Sequence, residues 1–226
     1  MDTVRALAEA GAPEGTMVQA GIQTAGRGRM GNTWTSPPGN LYLTTLLRPQ
    51  APLRAVAQLS FVAALALADA IDGCGAAHLT LKWPNDVLVG GRKIAGILLE
   101  VQGGRGELPP DFLLIGTGVN IDVAPPEGAQ VNDGNTMRRD AAFVRDSYFE
   151  RLSHWYAAWQ EQGFAPVRAA WMARAHGLGG PITARLGEGS VQGVFDGIDG
   201  QGGLILRRGD GVAQIVSGGA VHFGNA

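Results

Sequence analysis

Residues 79–102 read LTLKWPNDVLVGGRKIAGILLEVQ, and this stretch decides the fold. Leu79 to Trp83 has strand character, and Pro84, which brings no N–H to a ladder, stops it. Val87 to Val89 and Lys93 to Gln102 are again strand-like. Gly90-Gly91 between them supplies the positive φ angles of a two-residue hairpin turn. The hairpin carries Lys93 to a position across from Asp86. That one hairpin therefore predicts that Lys93 is brought near Lys82, Asn85 and Asp86 at the end of the preceding strand.

Working outward, Phe112 to Val119 is a further strand, as are Leu41 to Leu47 (LYLTTLL) and Thr16 to Ala20. Val4 to Ala10 is a short helix closed by Gly11, with Pro13 preventing its return. Pro52 to Asp72 is the longest expected helix up to that point, started by Pro and followed by Gly73 and Gly75. It is apolar nearly all round, as a buried helix is. Its longest uncharged run, Ala55 to Ala68, is too short to span a bilayer. Asp140 to Gln162 is helical, with Phe143, Tyr148, Leu152, Trp155 and Trp159 at a spacing that predicts core packing. A second helix runs from Pro166 to about Ala175. After Gly177 the texture changes to short apolar segments (ITARL, VQGVF, LILRR, AQIV, AVHF) between Gly and Asp turns. Five such strands predict a small β-barrel or sandwich. The domain boundary is set near Leu178, giving residues 1–177 and 178–226.

The 226 residues suffice to bury roughly 70% of the unfolded surface. Hydrophobic residues make up 45% and charged residues 17%, which excludes disorder. Acidic residues outnumber basic ones 20 to 18, so the phosphate-backbone attraction of a general nucleic-acid binder is missing. The single cysteine, Cys74, excludes an internal disulfide and a multi-cysteine zinc site and fits a reducing, cytoplasmic compartment. The opening segment, MDTVRALAEAGAPEG, reads as a mildly amphipathic helix and not as a signal peptide. Glycine, 35 residues, is about twice its usual share and shows no period, which points to tight turns and close backbone approaches.

Three clusters carry chemistry. Gly26-Arg27-Gly28-Arg29-Met30-Gly31 matches G-x-G-x-x-G, but it runs into Thr35-Ser36-Pro37-Pro38 instead of opening a helix. No acidic residue lies between Glu14 and Asp69, so the dinucleotide reading is rejected. Two arginines on a glycine backbone suit phosphate or carboxylate oxygens, and equally suit a solvated loop. Trp34 either stacks on a planar base or packs at the base of its loop. Lys82-Trp83-Pro84-Asn85-Asp86 is either a site on a strand end or an ordinary turn. Gly96, in mid-strand, admits a ligand or another backbone. The third cluster, Gly116-Thr117-Gly118-Val119-Asn120, ends in an amide that donates and accepts. No histidine pair has metal spacing, and neither a P-loop nor a nucleophile elbow is present. The set of Arg, Lys, Asn, Asp and Trp predicts a site for an anionic, nucleotide-like ligand, with acyl or phosphoryl transfer as its chemistry.

Taken in order, Gln23-Thr24-Ala25-Gly26-Arg27-Gly28-Arg29, Trp34-Thr35-Ser36-Pro37, Lys82-Trp83-Pro84-Asn85-Asp86, Arg92-Lys93-Ile94-Ala95-Gly96-Ile97-Leu98 and Gly116-Thr117-Gly118-Val119-Asn120 resemble the biotin protein ligase family, in the form without an N-terminal DNA-binding domain. The resemblance implies an α/β fold: a mixed-sheet catalytic domain of the biotin/lipoate ligase type, followed by a small SH3-like β-barrel. It implies that biotin's carboxylate attacks the α-phosphate of ATP, giving biotinyl-5′-AMP and pyrophosphate. A lysine of a biotin carboxyl carrier protein then displaces AMP. ATP, Mg2+ and biotin are the implied small molecules.

The resemblance assigns catalysis to Lys93, Arg27 and Arg29. It assigns biotin contacts to Gln23, Gly26, Arg27, Gly28, Arg29, Lys93, Gly96 and Gly116. Arg29, Trp34, Lys82, Asn85 and Asn120 fall to the nucleotide, and Asp86 to the neighbourhood of Mg2+. A homodimer built on sheet edges is common in the family, while no nucleic acid or membrane is implied. The family's Ser/Thr-Thr-Asn element has no match before Val4, so either the start is set too late or a strand and part of the biotin pocket are missing. Asn32 stands where many members carry Arg or Lys, and Ala220 and Gly224 where acidic and basic residues are expected. There is no room for a DNA-binding domain, which disfavours a repressor role. A lipoate–protein ligase and a non-catalytic biotin- or nucleotide-binding module are the competing readings.

Overall fold

A computed structural model describes residues 1–75, 78–133, 137–186 and 189–223. Its elements follow the chain as α1 (Asp2–Glu9), β1 (Met17–Ala20), β2 (Leu41–Leu47), α2 (Leu53–Val56), α3 (Leu59–Asp72), β3 (Leu79–Lys82), β4 (Asp86–Val89), β5 (Arg92–Gln102), β6 (Phe112–Val119), α4 (Ala141–Gln162) and α5 (Phe164–Ala173). Five strands close the chain: β7 (Pro181–Leu186), β8 (Gly189–Ile198), β9 (Leu204–Arg207), β10 (Ala213–Val216) and β11 (Ala220–Phe223). Gly224 lies outside the described residues.

The first sheet has the order β1-β2-β6-β5-β4-β3. The expected α/β architecture is present, but the sheet is not mixed, because every ladder in it is antiparallel. The short connections β3–β4 and β4–β5 return the chain at once, and returning strands pair antiparallel. The second sheet, β10-β9-β8-β7-β11, is antiparallel throughout as well.

Alternation gives the first sheet two faces. Leu41, Val119, Ala95, Val87 and Leu81 lie in register across one of them and are buried under the helices. All of α3 except Asp69 and Asp72 is buried, so this apolar segment is the core helix the sequence describes. The expected single helix is divided at Ala57-Gln58, where i→i+3 hydrogen bonds replace the α ladder. The Gln58 side chain is engaged there. It accepts from Trp159 Nε1 at 2.8 Å and donates to the Gly200 carbonyl at 3.4 Å. Gly163, at φ 74°, turns α4 into α5, and Pro166 sits in the first turn of α5, where its missing N–H costs nothing.

The two sheets share one core. Phe61 of α3 lies 5.4 Å from Trp171 of α5, ring centroid to centroid. Trp171 lies 6.5 Å from Phe195 of β8, and both contacts are edge-on. Trp171 is fully buried in the middle of this chain. Trp171→Ala should cost about 3–5 kcal/mol through the cavity it leaves. Thermal melts should show a fall of about 2–4 °C for each of those kcal/mol. A melting temperature unchanged within error would show that the two sheets are not joined through this residue.

Candidate active site

The opposite face of the first sheet is unusually bare. Ala20, Tyr42, Gly118, Gly96, Asp86 and Lys82 form one row across it, each in register with the next. Val18, Thr44, Gly116 and Leu98 form the adjacent row. Three glycines in the middle of these rows leave a floor of exposed backbone. Trp34 lies directly on it: a Cβ built on Gly118 would be 2.7 Å from the indole Nε1, and one on Gly96 would be 3.2 Å from Cζ3. Any side chain at Gly118 would evict the ring. At the other end of the floor α1 covers Leu46, Phe112 and Leu114 with Val4 and Ala8, bringing Met1 and Asp2 to the rim.

The segment read as an irregular loop folds back on itself as a narrow ribbon. Arg27 pairs with Thr33, Gly28 N–H donates to the Asn32 carbonyl at 2.7 Å, and Trp34 N–H donates to the Gly26 carbonyl at 3.0 Å. Gly26 is a packing position, since a Cβ there would sit 2.1 Å from the Trp34 carbonyl oxygen. The tip turns at Met30 and Gly31, at φ 54° and 77°. The ribbon is strapped at both ends. Arg27 reaches Asp2 at 2.7 Å and Glu100 of β5 at 3.3 Å, and the Ser36 hydroxyl lies 2.7 Å from Gln23 Oε1.

Lys93 owes its position to a bulge. Asp86 pairs with Gly96 and Val87 with Ala95, but Leu88 then pairs with Lys93, so Ile94 is an extra residue. Ile94 and Ala95 both enter the core, and Lys93 thereby falls on the face of Gly96. Its Nζ lies 2.6 Å from Asp86 Oδ1 and 5.1 Å from the centre of the Trp34 ring. Arg29 reaches the same place from the ribbon and donates to Asn85 Oδ1 at 3.2 Å, while Asn85 donates to the Ile97 carbonyl at 2.6 Å.

The charges do not balance locally. Arg27 has Asp2 and Glu100, and Lys93 has Asp86. Among the described residues no carboxylate forms an ion pair with Arg29 or with Lys82. Burial pulls the pKa of Arg29 below its ordinary value, with Asp86 opposing, and burial likewise lowers that of Lys82. Arg29, a partly desolvated cation at the cavity wall, suits an anion there.

Two cavities meet here. A narrow one of about 90 Å³ is lined by Gln23, Arg27, Gly28, Lys93, Gly116 and Gly118, among others. A wider one of about 530 Å³ lies toward the second sheet, with Phe61, Trp83, Gly202 and Ser217 in its wall. Arg29, Asn85, Ile97 and Leu98 line both. Trp83 Nε1 donates to the Gly202 carbonyl at 2.9 Å and so anchors the second sheet to this wall.

The structure thus gathers Gln23, Arg27, Gly28, Arg29, Trp34, Asn85, Lys93, Gly96 and Gly116 around one cavity. Gly26 lies behind it in the ribbon. Lys82 lies beyond Asp86, its Nζ 5.9 Å from the ring centre of Phe223. Asn120 is buried and gives its amide hydrogens to the carbonyls of Ala129, at 3.2 Å, and Lys93, at 3.5 Å; it supports the Lys93 strand from behind. Among the described residues no cluster of three or more His, Cys, Asp or Glu is placed to hold a metal, and Asp86 stands alone with Lys93. Thr44 and the second-sheet wall residues were not expected. A polar residue inside LYLTTLL is a signal for Thr44, whereas Gly202 and Ser217 carry none, because they arrive from far along the chain.

Comparison with known proteins now bears on this geometry. Residues 3–120 match the biotin/lipoate A/B protein ligase family, and residues 177–224 match the biotin protein ligase C terminal domain. A biotin–[acetyl-CoA-carboxylase] ligase of Paracoccus denitrificans is 47% identical over 219 residues, covering 92% of this chain and 90% of the relative. The solved biotin protein ligase of Aquifex aeolicus, in complex with biotin and ATP, superposes with a TM-score of 0.84 at 27% identity, covering 97% of this chain and 94% of that one. The Leishmania major biotin protein ligase with biotinyl-5-AMP gives 0.65 at 25% identity, covering 96% and 94%.

Gly118→Ala should displace the indole of Trp34 from the floor. Tryptophan emission, differenced against Trp34→Phe, should shift to the red in Gly118→Ala, with the melting temperature held within a few degrees. An unshifted Trp34 emission would mean that the ring does not rest on Gly118.

Proposed function

This chain belongs to the biotin/lipoate A/B protein ligase family, and from that premise we propose how its site performs the reaction. The protein is a biotin protein ligase: it uses ATP to attach biotin to the acetyl-CoA carboxylase carrier. One observation carries the assignment of the site, the meeting of a narrow and a wide cavity at Arg29 and Asn85. Biotin takes the narrow cavity over Gly96 and Gly116, and the nucleotide takes the wide one. The junction is where carboxylate and α-phosphate must meet. At about 90 Å³ the narrow cavity is closed down by Trp34 and the ribbon, so biotin enters as the ribbon lifts.

The first step brings together two anions. A carboxylate oxygen of biotin attacks the α-phosphorus, the bond to the β-phosphate oxygen breaks, and pyrophosphate leaves with that electron pair. A unit charge 4 Å away contributes about 4 kcal/mol at an effective dielectric of 20, so Lys93 and Arg29 can offset the repulsion that water would otherwise screen. Asp86 pairs with Lys93 and aims its Nζ at the junction. Arg27, bound outward to Asp2 and Glu100, keeps the ribbon closed over the mixed anhydride and excludes water. In the second step the carrier's lysine attacks the biotinyl carbonyl carbon, the bond to the phosphate oxygen breaks, and AMP departs. The lysine nitrogen loses its proton.

Mg2+, when bound, would offset the charge of the ATP phosphates, with Asp86 the residue we assign beside it; among the described residues no group of three or more His, Cys, Asp or Glu would cage the ion. Lys82 lies toward the departing phosphates, and Asn120 acts through the strand of Lys93. We place the boundary between the catalytic and C-terminal domains at 177/178 and the enzyme in the cytoplasm, which the single buried thiol of Cys74 suits. For a homodimer on sheet edges we propose β1. The outer edge of β3 is already bonded, Leu81 N–H to the Arg174 carbonyl and His176 N–H to the Leu81 carbonyl.

The reading requires pyrophosphate release from ATP that depends on biotin, and biotin transfer to a carrier domain. ATP turnover indifferent to biotin would refute it. Lys93→Ala should slow biotin-dependent pyrophosphate release by on the order of a hundredfold, the effect of losing one preorganised stabiliser of developing charge. Near-normal turnover would remove Lys93 from the chemistry. Arg29→Ala should shorten the lifetime of bound adenylate, followed by chase with unlabelled biotin, at an unchanged melting temperature.

A further inference from the structure

Lysine is nearly absent from this chain. Of 18 basic residues only Lys82 and Lys93 are lysines, and the other 16 are arginines. Both lysines stand on the site face of the first sheet described above. Lys93 is held as an ion pair 2.6 Å from Asp86, and the Nζ of Lys82 sits over the Phe223 ring on the far side of that carboxylate. The most exposed cationic side chains among the ion pairs are guanidinium groups. Arg54, Arg92, Arg138 and Arg208 each expose half or more of their side chains.

This division matters because of what the enzyme makes. On the ligase reading, its intermediate is an acyl phosphate, which any neutral ε-amine attacks. The nitrogen lone pair adds to the acyl carbon, the carbon–oxygen bond to phosphate breaks, AMP leaves with the electron pair, and the nitrogen gives a proton to water. A guanidinium does not do this, because it stays protonated and its electron density is delocalised. Surface lysines on the enzyme itself would be the first amines an escaping adenylate met, ahead of any carrier.

We propose that the use of arginine rather than lysine outside the site is a specificity device: beyond Lys82 and Lys93 the ligase presents no ε-amine to adenylate that escapes, so the carrier's lysine is the acceptor. Charge and solubility are retained, and only nucleophilicity is removed. The two lysines that remain stand on the site face, Lys93 paired with Asp86 and Lys82 half-buried beside the Phe223 ring.

The test uses the full chain and a variant carrying Arg105→Lys, Arg138→Lys and Arg208→Lys, three positions outside the site. Each is incubated without carrier in excess synthetic biotinyl-5′-AMP, and biotin is located by peptide mapping. The original chain should carry no biotin on Lys82 or Lys93, and the variant should carry it on the new lysines, at least tenfold above those two. Labelling of Lys82 or Lys93 at the level of a surface lysine overturns the proposal, as does a variant without ε-amine labelling. A second arm supplies biotin and ATP in place of the adenylate. If the variant then stays unlabelled while releasing pyrophosphate, the adenylate never escapes and there is nothing to exclude, which also overturns it. No pyrophosphate at all in that arm is the failure of the ligase reading and is seen separately.

Discussion

One extra residue in β5 governs the site. Without Ile94 as a bulge, the two-residue period of the strand would send Lys93 to the helix side of the sheet, among Ala95 and Val87. With it, the ammonium rises beside Gly96 and finds Asp86 on the neighbouring strand. The bulge, the glycine and the carboxylate are one arrangement. Gly96 makes room for the Lys93 side chain, whose Nζ would lie 3.0 Å from a Cβ at that position. The hairpin turn at Gly90-Gly91 fixes the register in which all three coincide.

The same economy runs through the electrostatics. Cations whose work is mechanical have carboxylate partners, as Arg27 has in Asp2 and Glu100 and Arg5 has in Glu100. Among the described residues Arg29 forms no ion pair and donates to the neutral oxygen of Asn85, and burial lowers its pKa against the opposing charge of Asp86. An arginine held in this way is poorly solvated in the protein alone and better solvated with an anion beside it, so part of the affinity for an anionic ligand is already built into the ribbon.

Much of this was legible in the sequence because it is local. The turn at Gly90-Gly91, the stop at Pro84, the apolar helix after Pro52 and the five short strands after Gly177 each follow from a few neighbouring residues. Lys93 facing Asp86 followed from the hairpin alone. What escaped was non-local. The sheet was expected to be mixed and is antiparallel, since strand order depends on how β2 finds β6 across the whole of α3 and the β3–β5 hairpins. Asn120 looked from its residue type like a free amide at a strand end. In the fold its hydrogens go to the Ala129 and Lys93 carbonyls, a fact about a loop whose course no spacing encodes. The ribbon at 26–34 had no apolar period to announce it, because its backbone bonds with itself over a bare floor rather than packing a side-chain face.

The aromatic chain from Phe61 through Trp171 to Phe195 has a consequence for how this molecule can be divided. Gly202 and Ser217, supplied by the second sheet, wall the wide cavity, and Phe195, Phe223 and Trp171 fill the seam behind it. Severing the chain at 177 would leave Phe61 and Trp171 as an oily scar on the larger piece and would open one side of the cavity to water. The small C-terminal unit is therefore no detachable accessory. A protein engineer wishing to exchange it would have to transplant the seam along with the strands.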